Sequence, residues 1–202
     1  MFGYNNLDMN NDKFRLSLMN DDSQYFKDLI RGGYDVNKQI LDGDGELDCQ
    51  GESTLLILAV ENEAYSVIKV LVGAGADLEA QDHIGTALHN AAQQDDIVAV
   101  QLLLDAGADV NSMGPYGTPL HRTTCSECQE ALISHGAEPK LKDADGLTVD
   151  QLNAVRAAVG DMNFANTVYM DLEELKSQMQ REVLSSVVEE PVADGRVRTR
   201  RL

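Results

Sequence analysis

Four side chains within fifteen residues carry the most reactive combination in this 202-residue chain: His121, Cys125, Cys128 and His135, spaced His-x3-Cys-x2-Cys-x6-His. Two imidazoles and two thiols are a donor set that tetrahedral zinc accepts. The Cys-x-x-Cys pair also has the spacing of a dithiol–disulfide couple. Both chemistries compete with plainer roles. His121 belongs to a Thr-Pro-Leu-His phrase, Cys128 fills a core as readily as it binds metal, and a single helix cannot turn all four groups to one point. The expectation is structural thiols, with no metal and no cofactor. A second candidate is the run Asp42-Gly43-Asp44-Gly45-Glu46-Leu47-Asp48, whose alternate carboxylates offer oxygens to calcium. An EF-hand loop needs Gly at its sixth place and Glu at its twelfth; Leu47 and Ser53 stand there, so the pattern fails. Asp42, Asp44, Glu46 and Asp48 are then read as an acidic finger that meets a partner. His89 and His121 lack the neighbouring nucleophile or acid that catalysis requires. No phosphate loop, Ser/His/Asp arrangement or two-carboxylate cleft is present in the sequence, and a non-enzymatic protein is expected.

These residues are positioned by a repeat. Gly85-Thr86-Ala87-Leu88-His89 returns 32 residues later as Gly117-Thr118-Pro119-Leu120-His121, and Thr54, Thr86, Thr118 and Thr148 mark steps of 32, 32 and 30. Each Thr precedes a short apolar run, which is a helix N-cap signal because its hydroxyl accepts an orphan backbone N–H. Pro119 suits the first helical position. A second helix follows in each unit, with stripes Val67, Ile68, Val70, Leu71, Val72 and Ile97, Val98, Val100, Leu102, Leu103, Leu104. Then Gly75-Ala76-Asp77, Gly107-Ala108-Asp109 or Gly136-Ala137-Glu138 stops the helix with a left-handed cap. Units of this size cannot bury an apolar face alone and must stack.

The unit resembles the ankyrin repeat, Asp-x-x-Gly-x-Thr-Pro-Leu-His-x-Ala-Ala, a second helix, then Leu-Leu-x-x-Gly-Ala-Asp-x-Asn. Asp82 to Asn111 follow it almost throughout. Asp143-Ala144-Asp145-Gly146-Leu147-Thr148 opens another unit, and Asp12 to Asn37 is a divergent first one, with Phe26, Leu29 and Ile30 leading to Gly33. The resemblance implies an all-α solenoid of about five repeats over residues 12–165 after an arm at 1–11. It implies that the Thr and His of the repeat fix its turn by hydrogen bonds. It further implies a protein partner on the concave face made by turn tips and first helices. Residue by residue, those places are Asp82, His83, Ile84, Met113, Pro115 and Tyr116 on the turns, and Leu58, Glu61, Asn62, Gln93, Gln94 and Arg122 on the helices. Tyr116 and Met113 are the expected anchors, since interfaces favour aromatics and Met.

The chain departs from the repeat in four places. Asn37 to Thr54 is seventeen residues against seven from Asn111 to Thr118, so a turn at 38–53 carries an insertion. Thr118 to Gly136 is 18 residues against 21 from Thr86 to Gly107; the loss near Thr124-Cys125-Ser126 is expected to shorten the loop between that unit's helices. Gly85 and Gly117 touch the Thr directly, one place later than the family's glycine. Past Gly160, Val168, Leu172, Leu175, Met179, Val183 and Val187 recur at helical spacing. They predict a helix over about 163–188, read as a cap at 166–188 that covers the open end of the stack. Arg196, Arg198, Arg200 and Arg201 make 189–202 a basic tail of disordered composition.

The formal charge is −18, from 34 acidic and 16 basic residues. That excess argues against nucleic acid and against an anionic membrane surface, and it favours a basic protein partner drawn in by electrostatic steering. Three cysteines, at 49, 125 and 128, do not make a secreted disulfide framework. The sequence shows neither a leader pattern nor an apolar run of membrane-spanning length. A cytoplasmic protein is expected, or one delivered into a host cell. The expected function is protein–protein interaction through the concave face; the alternative is a dedicated inhibitor, of the immunity or anti-defence kind, that neutralises a toxin or nuclease.

Overall fold

The computed structural model describes residues 12–41 and 52–159. The arm at 1–11, the acidic finger Asp42–Asp48, the helix expected at 166–188 and the basic tail lie outside the described residues. By its internal contacts the chain divides into two compact segments, 1–153 and 154–202, and the account below concerns the first.

Helices come in pairs, as the repeat requires. They are α1 (Asp12–Met19) with α2 (Ser23–Arg31), α3 (Leu55–Glu61) with α4 (Tyr65–Gly73), α5 (Ala87–Gln93) with α6 (Ile97–Asp105), and α7 (Pro119–Arg122) with α8 (Ser126–Ser134). A further helix, α9 (Val149–Val159), follows. First helices α3, α5 and α7 pack along one row, and second helices α2, α4, α6 and α8 along another. The two rows enclose one aliphatic core that runs from Phe14 and Phe26, edge to face at 5.6 Å, through Leu55, Ile57, Ile68, Leu71, Leu88, Val100 and Leu103 to Leu120, Cys128 and Leu132. No single unit buries these side chains; each layer is covered by the next.

The mostly helical structure fits the all-α expectation, and two local details differ from it. The inserted turn is closed at its base by a two-stranded antiparallel hairpin, β1 (Gln39–Leu41) with β2 (Glu52–Thr54), in the register Gln39↔Thr54, Ile40↔Ser53, Leu41↔Glu52. Ile40 is buried in the core, which ties the base of the insertion down.

The second detail is a correction and concerns the missing three residues. The connections between paired helices are equally long, 94–96 and 123–125, while α5 has seven residues and α7 has four. The loss therefore falls on the first helix and not on the loop. Its cause is the Thr123-Thr124 pair, whose donors turn to a carboxylate of the preceding unit. Thr side chains that find such a partner compete with helical continuation, and Thr123 is extended, with φ −85° and ψ 146°.

That carboxylate is Asp95, and it belongs to a pattern. Asp-Asp doublets stand at 21–22 and 95–96, between the helices of the first and third described pairs. The second Asp of each caps its own helix: Asp22 accepts from the Gln24 and Tyr25 N–H groups at 3.2 Å, and Asp96 from Val98 and Ala99 at 3.0 and 3.1 Å. The first Asp, left-handed at φ 52° and 54°, reaches into the following unit. Asp21 accepts from Ser66 N–H at 3.0 Å and Val67 N–H at 2.9 Å. Asp95 accepts from Thr124 N–H at 2.8 Å, Cys125 N–H at 3.0 Å, and both Thr hydroxyls at 2.6 Å. The N-caps of α4 and α8, Ala64 and Cys125, make no side-chain cap of their own; Asp21 caps the first turn of α4 from the preceding unit, while Asp95 holds the segment that leads into α8.

Candidate functional site

Two finger turns carry the turn residues expected to make contacts. In the first, Asp82 to Gly85, the Asp82 carboxylate accepts from Ile84 N–H at 2.7 Å and Gly85 N–H at 2.9 Å, and from the Asn90 amide at 3.3 Å. Its side chain is 1% exposed. In the second, Gly114 and Gly117 exchange backbone bonds at 2.9 and 3.3 Å, which leaves Pro115 and Tyr116 at the two central positions of a tight turn, with Pro where its fixed φ fits.

A histidine clamp holds each turn. His89 is fully buried; its Nδ1 accepts from Thr86 N–H at 3.0 Å and lies 2.9 Å from the Thr86 hydroxyl. With Nδ1 accepting, the proton sits on Nε2, which reaches the Gly117 carbonyl at 3.0 Å, in the next unit's finger. His121 repeats the arrangement with Thr118 N–H at 3.2 Å and the Leu147 carbonyl at 3.3 Å. Burial pushes the His89 imidazole below its ordinary pKa, against the opposing pull of the Gly117 carbonyl. These rings also explain why the glycine abuts the threonine. A Cβ on Gly117 would lie 3.0 Å from His121 Cγ and 2.9 Å from Asp143 Cβ, and the residue holds φ +101°; only glycine is accommodated.

At the end of the shortened α7, three of the expected contact residues meet. The Arg122 guanidinium stands 4.8 Å over the Tyr116 ring and donates to the Gln93 side-chain oxygen. Its Nε is buried with no acceptor, and among the described residues no carboxylate is within ion-pair distance of it. Burial lowers the Arg122 pKa from its usual value, opposed by Tyr116. Tyr116 and Met113 remain 44% and 48% exposed on and beside the turn that the Gly114–Gly117 pair closes.

The remaining expected contacts divide. His83, Pro115, Glu61, Asn62, Gln93 and Gln94 are exposed and Ile84 is half-buried. Leu58 is corrected: it is 3% exposed, because α3 is covered by units on both sides and every residue from Ser53 to Val60 is buried. Asp82 is corrected likewise; its carboxylate is consumed inside its own turn.

The His-Cys-Cys-His quartet is not brought to one point. His121 has both ring nitrogens engaged in the clamp, His135 is exposed with Nδ1 on the Ala131 carbonyl at 2.8 Å, and Cys125 donates to Glu127 Oε2 at 2.9 Å. Burial, and secondarily the adjacent Cys125, pushes the Cys128 thiol up to about 12, which leaves a core thiol without thiolate character. Among the described residues no group of three or more His, Cys, Asp or Glu side chains is arranged to hold a metal. No helix among them is long and apolar enough to cross a membrane.

Sequence reasoning missed a basic groove of about 660 Å³ between α2 and α4, with Lys27, Arg31 and Lys69 along its sides and Ile30 and Val70 in its lining. The signal was available in the repeat register. One position, read down the four second helices, is Lys27, Lys69, Gln101 and Glu130, a change from basic to acidic that total charge conceals.

Comparison with known proteins identifies the repeat. Residues 56–143 match the model of a family described as ankyrin repeats, in three copies. None of the curated proteins matches the chain.

Proposed function

The chain is an ankyrin-repeat protein, and from that premise we propose that it binds a protein partner through its finger turns and first helices, with Tyr116 and Met113 as apolar anchors. Ankyrin repeats are generally protein–protein interaction modules. The observation that carries the reading is the pair of large, half-exposed side chains on a turn made rigid by the His89–Gly117 bond and the Gly114–Gly117 pair. Exposed aromatic and Met side chains on a pre-organised loop are what an interface core uses. His83, Ile84, Pro115, Glu61, Asn62, Gln93 and Gln94 form the surrounding contacts.

The net charge of −18 supports a basic partner, drawn in faster at low ionic strength. If that partner is an enzyme or a toxin, coverage of its basic surface inhibits it. We read Asp143 to Leu147, whose turn is closed by the Asp143 N–H to Leu147 carbonyl bond at 2.9 Å, together with α9, as the start of a fifth unit.

Alanine at both Tyr116 and Met113 is expected to weaken capture of the natural partner at least ~10-fold and to move stability by less than about 0.5 kcal/mol. Titration of the captured partner and a thermal melt read the two effects. Unchanged affinity sinks the reading, and a collapse in melting temperature would place both side chains in the core instead. Enzyme activity of the captured partner at saturation separates inhibition from simple docking.

A further inference from the structure

The residue that protein stability alone does not explain is Arg122. A guanidinium drawn partly out of water is normally answered by a carboxylate, because desolvation disfavours the charge and only pairing offsets it. Here the described neighbours are an aromatic face and a neutral amide, and Nε is buried without an acceptor. Arg122 is the last residue of α7, which is three residues shorter than α5, and Thr123 and Thr124 turn away from it to Asp95. Tyr116 holds the guanidinium plane from one side and Gln93 takes one of its donors, so the fork is oriented before anything binds.

We propose that Arg122 is the receptor for a single carboxylate of the protein partner, an Asp or Glu side chain that meets the guanidinium at the end of α7 with the ring of Tyr116 beside it. This rests on the reading of the Tyr116 face as the binding face, and it adds a chemical requirement to that reading. The partner presents a carboxylate at the centre of the contact, whatever the net charge around it. A bidentate pair in a partly desolvated site is stronger and more directional than an exposed ion pair. It also discriminates sharply, since a partner lacking the carboxylate leaves the guanidinium unpaired.

The full chain, with 15N-labelled arginine side chains, is titrated with two blocked tripeptides, acetyl-Leu-Asp-Leu-amide and its Asn counterpart. The Arg122 Nε–H resonance is expected to move saturably with the Asp peptide and not with the Asn peptide at concentrations up to about 50 mM. Tyr116→Ala should weaken that response, and Arg122→Lys should lower affinity for the natural partner ~10-fold through loss of the planar fork. Arg122→Met, which removes the charge and keeps the stem, should leave the melting temperature unchanged or raise it. No movement with the Asp peptide, an equal response to the Asn peptide, or a clear drop in melting temperature in Arg122→Met overturns the proposal; the last result would make Arg122 a structural brace. If the carboxylate response fails while Tyr116→Ala/Met113→Ala still loses the partner, only this inference falls. If the double variant keeps its partner, the reading of the face itself is wrong.

Discussion

Replacing His89 by alanine is expected to lower the stability of the chain by about 3–4 kcal/mol, from a buried ring left as a cavity and from lost hydrogen bonds to buried groups. The ring is fully buried, accepts from Thr86 N–H and spans to the Gly117 carbonyl 28 residues away. Removal leaves the buried Thr86 N–H without its acceptor, leaves the Gly117 carbonyl with the Gly114 N–H alone, and unties one finger from the next. The same residue gives a pH dependence of known sign. Burial holds its folded pKa below the ordinary value, so between the two the unfolded chain binds more protons than the folded one. Stability therefore rises with pH through that window, is complete above about pH 6.5, and falls as the pH drops below it. Urea titrations at pH 7.5 and 5.5 should show a larger loss on acidification for the native chain than for His89→Gln. Equal losses in the two proteins would mean that His89 is not held neutral by the fold.

The clamp was legible because its parts are local and periodic. Thr86 and His89 stand three residues apart, Thr118 and His121 repeat the phrase, and a glycine beside each Thr marks the space that the ring takes. What lay hidden depends on partners from other units. Leu58 and Asn62 are a turn apart on one helix, and periodicity alone does not say that α3 is covered on both sides as far as Val60, which buries the first and spares the second. Counting residues revealed a loss of three, but not that the helix would bear it, because the deciding acceptor, Asp95, lies 28 to 30 residues upstream of its donors. The base of the inserted hairpin buries one apolar side chain, Ile40, beside the polar Ser53 and Thr54, too little apolar pattern to register as a strand. The Arg122–Tyr116 contact joins a helix end to a turn six residues before it, a pairing that depends on α7 stopping where it does.

Asp95→Ala is expected to destabilise the chain by about 2–3 kcal/mol, because one carboxylate answers four donors. Thr123 is fully buried, so the loss of its hydroxyl partner is not repaired by water. Asp21→Ala removes two N–H partners only and should be smaller, about 1 kcal/mol. Burial raises the Asp95 carboxyl, but hydrogen bonds from Thr123, Thr124 and Cys125 outweigh it and hold the pKa below the usual carboxylate value. The contribution is therefore present above about pH 4, the ordinary unfolded value, and is lost as the pH falls through the lower folded one. The damage should also be local. In a stack, each unit is held by its neighbours, and Asp95 is the tie from the third described pair to the fourth. Hydrogen exchange in Asp95→Ala should therefore accelerate over α7 and α8, residues 119–134, while α3 to α6 keep their protection. A uniform loss of protection would show that the stack unfolds as one block and that the tie is only one bond among many.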